Sequence, residues 1–448
     1  MTAPRLHPIR FAAPVTRILP KLLLLAGLVA AAPAAAEPWT LERVLANVRD
    51  SDPGVRAVRA AGDAARAEAS GGRWALSPRV TLQAGATRGD DPAMLFTQKL
   101  WQGRFTAADL ALPALNQPAA ATGLQWGLVV EQPLWNAGRE VTAFGLASRR
   151  RRAATAAADA AVTNRLLDGV EAYVSAVRAR ASEAADSAGL AAAENYRDAT
   201  SDRLRMGQVS PLDSMRAAAR AGEARLRWLA SRQAAELARD RLGALVGAQV
   251  EGDSLAPLPE IIDGSSTGAR GPRAELVSAR EDAAAAGSES RRAGMGLLPS
   301  LNSRFTVTRH RNADGGDWEP RWTAAVMLEL PLWDGARRYQ DWSGARARAR
   351  QARANAEALE RELALDLRTA RSDAALAIER RAVAREAGAA AEEALRFATE
   401  RYRAGLLPLT DLLATDAEAA RARQARVDAE ALAVVAHYRL LRARGEFR

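Results

Sequence analysis

EQPLWNAGR, from Glu131 to Arg139, returns as ELPLWDGAR from Glu329 to Arg337, an offset of 198 residues. A second pair stands at the same offset: RLRMGQVSPLD (Arg203 to Asp213) and RYRAGLLPLTD (Arg401 to Asp411), which sets Gly207 over Gly405 and Asp213 over Asp411. Two separated matches at one offset require the segments between them to be equally long, the mark of an internal duplication. A looser third echo links LSPRVTLQ (Leu76 to Gln83) with LLPSLNSR (Leu297 to Arg304).

Outward from these anchors, both halves follow one plan. A helix comes first, over about 41–72 and 272–296. A strand follows Pro78 or Pro299, a loop leads to a second strand ending at Pro133 or Pro331, and a very long helical stretch runs to Gly207 or Gly405. A turn and a second long helix, about 211–246 and 409–444, close each half. Residues 248–271, rich in Gly, Pro and Ser, read as the linker or equatorial segment. The expected organisation is therefore a first repeat over 37–247, this linker, and a second repeat over 272–448.

The long stretches are strong helix signals. No proline occurs from Gly138 to Met206 or from Asp334 to Leu407, and alanine, the best helix former, dominates both. Apolar residues alternate by three and four, as in Leu166, Val170, Tyr173, Val177 and in Leu363, Leu367, Ala370, Ala374, Ala377, which is a packed helical stripe. Nearly seventy residues of helix would extend roughly 100 Å. A coiled-coil core explains the stripe without any further role.

The short segments read as strands. Val80, Leu82, Ala84 and Ala86 alternate with Thr81, Gln83, Gly85 and Thr87; Leu124, Trp126, Leu128 and Val130 with Gln125, Gly127 and Glu131. Phe305 and Val307 oppose Asn302, Arg304, Thr306 and Thr308, and Trp322, Ala324, Val326, Leu328 and Leu330 oppose Thr323 and Glu329. Period two places the two sets on opposite faces. About ten residues is what a tilted strand needs to cross a bilayer. A two-stranded hairpin in lipid leaves unpaired edges, and a barrel with a lumen needs more than four strands. Lipid-facing strands would have to be pooled among protomers. Trp126, Trp135, Trp322 and Trp333 then fit interfacial aromatic girdles. The same alternation fits a soluble sheet packed on the helices. The connections differ: Thr87 to Gly123 reads as a long loop, Arg309 to Arg321 as a short one.

The first 36 residues read as an address. Arg5, Arg10, Arg17 and Lys21 precede an apolar run from Leu22 to Ala32, followed by Ala34-Ala35-Ala36. This is the pattern of a secretory signal peptide cleaved after Ala36, with an apolar run too short to span a bilayer. The chain carries 63 basic and 53 acidic residues, net +10. Four of the basic residues and no acid lie in 1–36, leaving 59 basic against 53 acidic. Arg alternates with Glu and Asp along the helices as on solvated surfaces, not as a one-sided patch for nucleic acid. There is no cysteine, so no disulfide, no cysteine metal site and no lipid-modified N-terminal cysteine.

No catalytic constellation, phosphate loop or metal-ligand spacing appears, and no cofactor is expected. His7 falls in the signal peptide, His310 in the second inter-strand loop and His437 alone on a helix. The informative polar residues sit at the duplicated helical turns. Ser210 is a natural N-cap, Pro211 suits the first helical position and Asp213 the first turn. Helix-start electrostatics accounts for Asp213 and Asp411; so does a carboxylate ring at a tunnel mouth.

On the PLWNAGR and PLWDGAR segments, the LSP and LLPSL strand starts and the G-x-x-x-x-x-D turns, the chain resembles the TolC-like outer-membrane efflux protein family over nearly its whole mature length. The resemblance implies an α+β membrane protein: a homotrimer with a twelve-stranded β-barrel, four strands per protomer, embedded in outer-membrane lipid and continued by a long α-helical coiled-coil periplasmic tunnel. It implies passive export, with a periplasmic adaptor and an inner-membrane pump or secretion ATPase as partners. Carried over, Gly207, Val209, Ser210, Gly405, Leu406 and Leu407 belong to adaptor-docking turns, and Asp213, Asp411 and Tyr402 to the tunnel entrance. Leu407 stands where well-known members carry a gate arginine, and Ala414 where they carry a second entrance aspartate. The leading expectation is an efflux duct for small toxic compounds. The alternatives are a channel for type I protein secretion and a periplasmic coiled-coil scaffold without a pore.

Overall fold

The computed structural model describes residues 38–74, 77–260 and 271–447. The expected signal peptide with His7, and positions 261–270 of the expected linker, lie outside the described residues. The elements are α1 (Leu41–Ser51), α2 (Pro53–Ser70), β1 (Arg79–Gly89), α3 (Pro92–Trp101), α4 (Leu112–Asn116), β2 (Ala121–Trp135), α5 (Arg139–Arg205), α6 (Pro211–Val246), α7 (Ala274–Met295), β3 (Ser300–Asn312), β4 (Gly315–Glu329), α8 (Arg337–Arg403) and α9 (Leu409–Arg444).

The duplication is exact in the helices. α5 and α8 each span 67 residues, α6 and α9 each 36, and both pairs of boundaries keep the sequence offset. At 1.5 Å per residue these are roughly 100 Å and 54 Å long. After its turn, α6 therefore reaches only about half-way back along α5. The other half of α5 packs on α2 and α7, and α7 in turn packs on α8. Four helices thus stand side by side on both halves of the body: α5, α6, α8 and α9 toward the turns, and α2, α5, α7 and α8 toward the strands.

The main core forms where the two sets meet. Val44, Val48, Leu166, Val170, Tyr173, Leu242, Val246 and Val434 are buried together there. The start of the expected linker joins this core. Val250 and Leu255 are buried, and Leu255 makes a parallel bridge with Trp39. Tyr173 Oη donates to the Ala256 carbonyl at 2.8 Å. Burial and the nearby Glu42 carboxylate push the Tyr173 hydroxyl up to about 12, so it stays a donor.

The expected single helix over 41–72 is two helices. Pro53 has no N–H to continue α1 and pushes the preceding residue to extended backbone. Asp52 is extended, with ψ 126, and accepts from the Val55 amide at 2.9 Å as the N-cap of α2. It also receives a two-pronged contact from Arg165 at 3.1 and 3.2 Å. Burial raises the Asp52 pKa, but Arg165 and the Val55 amide outweigh it and hold the carboxyl below its ordinary value.

The four strands form one antiparallel sheet in the order β1-β2-β3-β4. They are 11 to 15 residues long, longer than the sequence pattern implies. The expected loop at Arg309–Arg321 is mostly strand: β3 runs to Asn312 and β4 starts at Gly315, with Gly315 and Gly316 at φ 123 and 104. Those angles favour glycine, and they let the chain reverse tightly. His310, expected in that loop, is instead buried in β3, with Nε2 2.9 Å from Thr308 Oγ1. The long connection from β1 to β2 holds α3 and α4. β2 runs on to Trp135, with a register shift between Pro133 and Trp135, whereas β4 stops at Glu329, short of Pro331.

Candidate functional site at the sheet and the helical turns

The opening motif is the elbow between strand and long helix. Ala137 and Gly138 have φ 56 and 81, and Gly335 and Ala336 have φ 71 and 61. Each elbow thus needs two successive left-handed residues, and each supplies one glycine and one alanine in opposite order. The residue just before each left-handed pair anchors the helix start. Asn136 offers its carbonyl to the Arg139 amide at 3.0 Å, and Asp334 accepts from the Arg338 amide at 3.3 Å.

Strand register sorts the sheet into two unlike faces. Val80, Val130, Phe305 and Ala324 lie in one row, and Leu82, Leu128, Val307 and Trp322 in the next row on that same face. The opposite face carries Arg79, Glu131, Arg304 and Ala325, then Thr81, Val129, Thr306 and Thr323. Arg304 reaches Glu131 at 2.6 Å across that polar face. The apolar face is bare: Val80 is 61%, Leu82 67%, Trp322 72% and Leu328 69% exposed. Exposed apolar area of this size marks an interaction surface.

Aromatic rings bracket the apolar face. Toward the β3–β4 turn, Trp126 and Trp318 meet edge-to-face with centroids 6.4 Å apart. Toward the helices stand Trp135 and, past the end of β4, Trp333. Trp126 and Trp135 are separated along β2 by roughly 30 Å at about 3.3 Å per residue. Allowing for tilt, that agrees with an outward apolar band about 25 Å tall. Trp322 lies within the band, against Phe305, rather than at its rim.

At the other end of the long helices, both turns use one device. Gly207 and Gly405 have φ 71 and 74. Gln208 N donates to Arg203 O at 2.9 Å and Gly207 N to Leu204 O at 2.9 Å; Leu406 N donates to Arg401 O and Gly405 N to Tyr402 O in the same way. This is the paired closure of a left-handed C-cap, which favours glycine. The following helix starts differ. Ser210 Oγ accepts from the Asp213 amide at 3.2 Å and donates to Asp213 Oδ2 at 2.9 Å. In the second turn Pro408 occupies the cap position with no side-chain bond, and Asp411 is exposed. Ser210→Ala should therefore cost about 1 kcal/mol at α6, read as roughly fivefold faster amide exchange over 212–214. Unchanged exchange would mean the cap is idle.

Tyr402 is buried in a small core joining both hairpins, with Ala217, Leu409 and Leu412 buried beside it and Leu407 packed against them. Its ring lies under the Arg203 guanidinium at 5.0 Å. Leu406 is exposed, and Val209 is half-buried.

The sequence profile of outer membrane efflux proteins matches residues 44–248 and 268–446. The chain belongs to the outer membrane efflux protein family. Among solved structures it is similar to a membrane protein from Pseudomonas aeruginosa (TM-score 0.77, 22% identity, 90% of this chain and 93% of that one). It is also similar to the outer membrane protein VceC from Vibrio cholerae (0.75, 21%, 91% and 96%) and to the CmeC outer membrane channel from Campylobacter jejuni (0.76, 16%, 91% and 85%). No curated protein sequence matches the chain. The expected fold of antiparallel strands continued by long helical hairpins is the fold of these channels, and an outer membrane efflux channel is no enzyme.

Three features of this efflux protein were not read from its sequence. Met206, Leu212 and Met215 are exposed apolar residues at the first turn. Near the second turn, Asp416 is buried and pairs with Arg220 of α6 at 2.8 Å, both side chains about nine-tenths buried. Finally, α3 lies over the polar face of the sheet: Gln98 fills the space above Gly123, and Trp101 stacks on His310 at 5.0 Å. Among the described residues no acidic or histidine cluster has metal-binding geometry, and no helix is long and apolar enough to cross a membrane.

Proposed function

We propose that three copies of this chain pool their sheets into a twelve-stranded barrel in the outer membrane and their helices into a periplasmic tunnel, forming the passive exit duct of a tripartite efflux pump for small toxic compounds. The bare apolar face of the sheet carries this reading. β1 and β4 have unpaired outer edges within the protomer, lipid tolerates no such edges, and pairing β4 of one copy with β1 of the next removes them. The polar face then lines the lumen. Residues 1–36 serve as an export signal, and the absence of cysteine leaves no residue for lipid attachment. The two repeats, 37–247 and 272–448, each contribute one hairpin to the tunnel, with 248–271 at its equator. The turns at Gly207–Ser210 and Gly405–Leu407 meet a periplasmic adaptor coupled to an inner-membrane pump.

Asp213 and Asp411 ring the tunnel entrance in this reading, with Tyr402 in the core behind them. Asp411 is the freer of the two, since Asp213 is engaged by Ser210. The purified trimer in a planar bilayer should give discrete conductance steps. Multivalent cations added on the helical side should block them, and Asp411→Ala should weaken that block. Absence of conductance from folded trimer would sink the channel; unchanged block would return Asp411 to a helix-start role. A deletion strain that keeps its tolerance to a broad toxicant panel but loses a secreted protein would assign protein secretion instead.

A further inference from the structure

The apolar face of the sheet is not apolar to its end. Toward the β3–β4 turn, Trp126 pairs in register with Arg309, and Leu124 with Arg311. Arg88 lies one step farther on the same face, its Nη1 3.3 Å from Thr122 Oγ1. By strand parity these three arginines share this face while Glu131, Glu319 and Glu329 point the other way; Asp317 lies in the stretch of β4 where the register with β3 shifts. Among the described residues neither Arg309 nor Arg311 has an ion-pair partner. Each guanidinium instead lies over an indole, Arg309 over Trp126 at 5.9 Å and Arg311 over Trp318 at 5.0 Å. Arg311 Nε is shielded from solvent and has no hydrogen-bond acceptor.

We propose that Arg309 and Arg311, with Arg88 beside them, bind the phosphate headgroup of an outer-leaflet lipid. The inference rests on the barrel reading above. With the helices in the periplasm, the β3–β4 turn faces outward, and the aromatic rim sets Arg309 and Arg311 at headgroup height. Both lie on an inner strand of the sheet, so neither is consumed by pairing between protomers. A guanidinium left over an indole keeps its edge N–H donors open, and guanidinium forks match phosphate oxygens. A basic pair with no ion-pair partner among the described residues, set at the lipid interface, suits an anion that the protein itself does not provide. The occupant is a phosphorylated lipid rather than a dissolved anion, because the flanking surface below is Leu128, Val307 and Trp322, which acyl chains cover.

The test uses the purified full-length trimer in neutral detergent, with intrinsic tryptophan fluorescence quenched by brominated-acyl phosphatidic acid or by brominated-acyl phosphatidylcholine. The native chain should prefer phosphatidic acid. R309Q/R311Q should lower that preference about thirtyfold, whereas R309K/R311K should hold it within a few-fold. A native chain with equal quenching by both lipids, or a preference unmoved by R309Q/R311Q, overturns the proposal. Displacement of phosphatidic acid by an equal concentration of inorganic phosphate overturns the lipid assignment. Quenching by phosphatidylcholine reports on the barrel reading separately. Its persistence in R309Q/R311Q shows that the variant is folded with its apolar face in lipid, and its absence from the native chain would fell that reading itself.

Discussion

Val130→Arg should nearly eliminate folded protein from the outer membrane, while Thr306→Arg should be assembled close to normally. The two positions lie in adjacent pairs of the same sheet: Val130 opposite Phe305 and Val80, Thr306 opposite Val129 and Thr323. They differ in face alone. Val130 sits about midway between the Trp126 and Trp135 rims, where an arginine facing lipid costs about 2–4 kcal/mol. Three copies per barrel bring this to about 6–12 kcal/mol, comparable with the whole stability of many domains. Arginine at 306 would project into a polar lumen already holding Arg79, Arg304 and Glu131. Heat-modifiable trimer recovered from outer membranes is the measurement. The opposite order of the two variants would mean that the faces are reversed.

The second large effect lies near the turns. Asp416→Ala leaves Arg220 buried without its main partner, and losing one member of a buried pair costs about 3–5 kcal/mol. Glu223, 3.6 Å from Arg220 Nη1, draws the expectation to the lower end of that range. Arg220 Nε already lacks a hydrogen-bond acceptor, so the pair is incompletely satisfied even in the native chain. The double variant R220M/D416L should therefore be near neutral, within about 1 kcal/mol, or stabilising. Protease cleavage and amide exchange over the first turns of α6 and α9 would read both. If D416A and R220M/D416L loosen the turns equally, the pair contributes more than a buried hydrophobic contact does.

The helical half of this fold was legible because the sequence states it twice. Pro211 and the position of Pro408 mark helix starts, Gly207 and Gly405 mark helix ends, and the common offset makes the two hairpins equally long. Features without a repeated counterpart were hidden. Arg220 and Asp416 pair across the two halves, and their repeat equivalents are Glu418 and Ala218, so nothing in the duplication points to the contact. The segment RHRNADGGDWEPR looked like a loop because its charged residues broke the apolar alternation. In the structure they continue the strands, with Arg309 and Arg311 over indoles and His310 beneath Trp101. The break between α1 and α2 did carry a local signal, Asp52-Pro53, which the strong apolar spacing on either side outweighed. The two functional faces of the sheet were visible as period two; which residues share a row was not, since register depends on pairing between distant segments.

The relay of helices along the body has a geometric outcome in the proposed trimer. Where α6 and α9 end, α2 and α7 take their places, so the wall would hold twelve helices at every height. Spaced about 10 Å apart, they give a ring about 38 Å across at its centre line and a bore of about 28 Å once helix width is subtracted. Twelve strands about 4.8 Å apart and tilted about 40° close a ring only about 24 Å across. The number of helices in the wall is therefore constant, and helices give way to strands once, at the elbows formed by Ala137-Gly138 and Gly335-Ala336. With no stave lost part-way along, narrowing there would need closer spacing or a changed tilt of the same helices. In that trimer the two rims are the places to look for control over what passes: the turns where α6 and α9 begin, and the barrel mouth where α3 lies across the polar face.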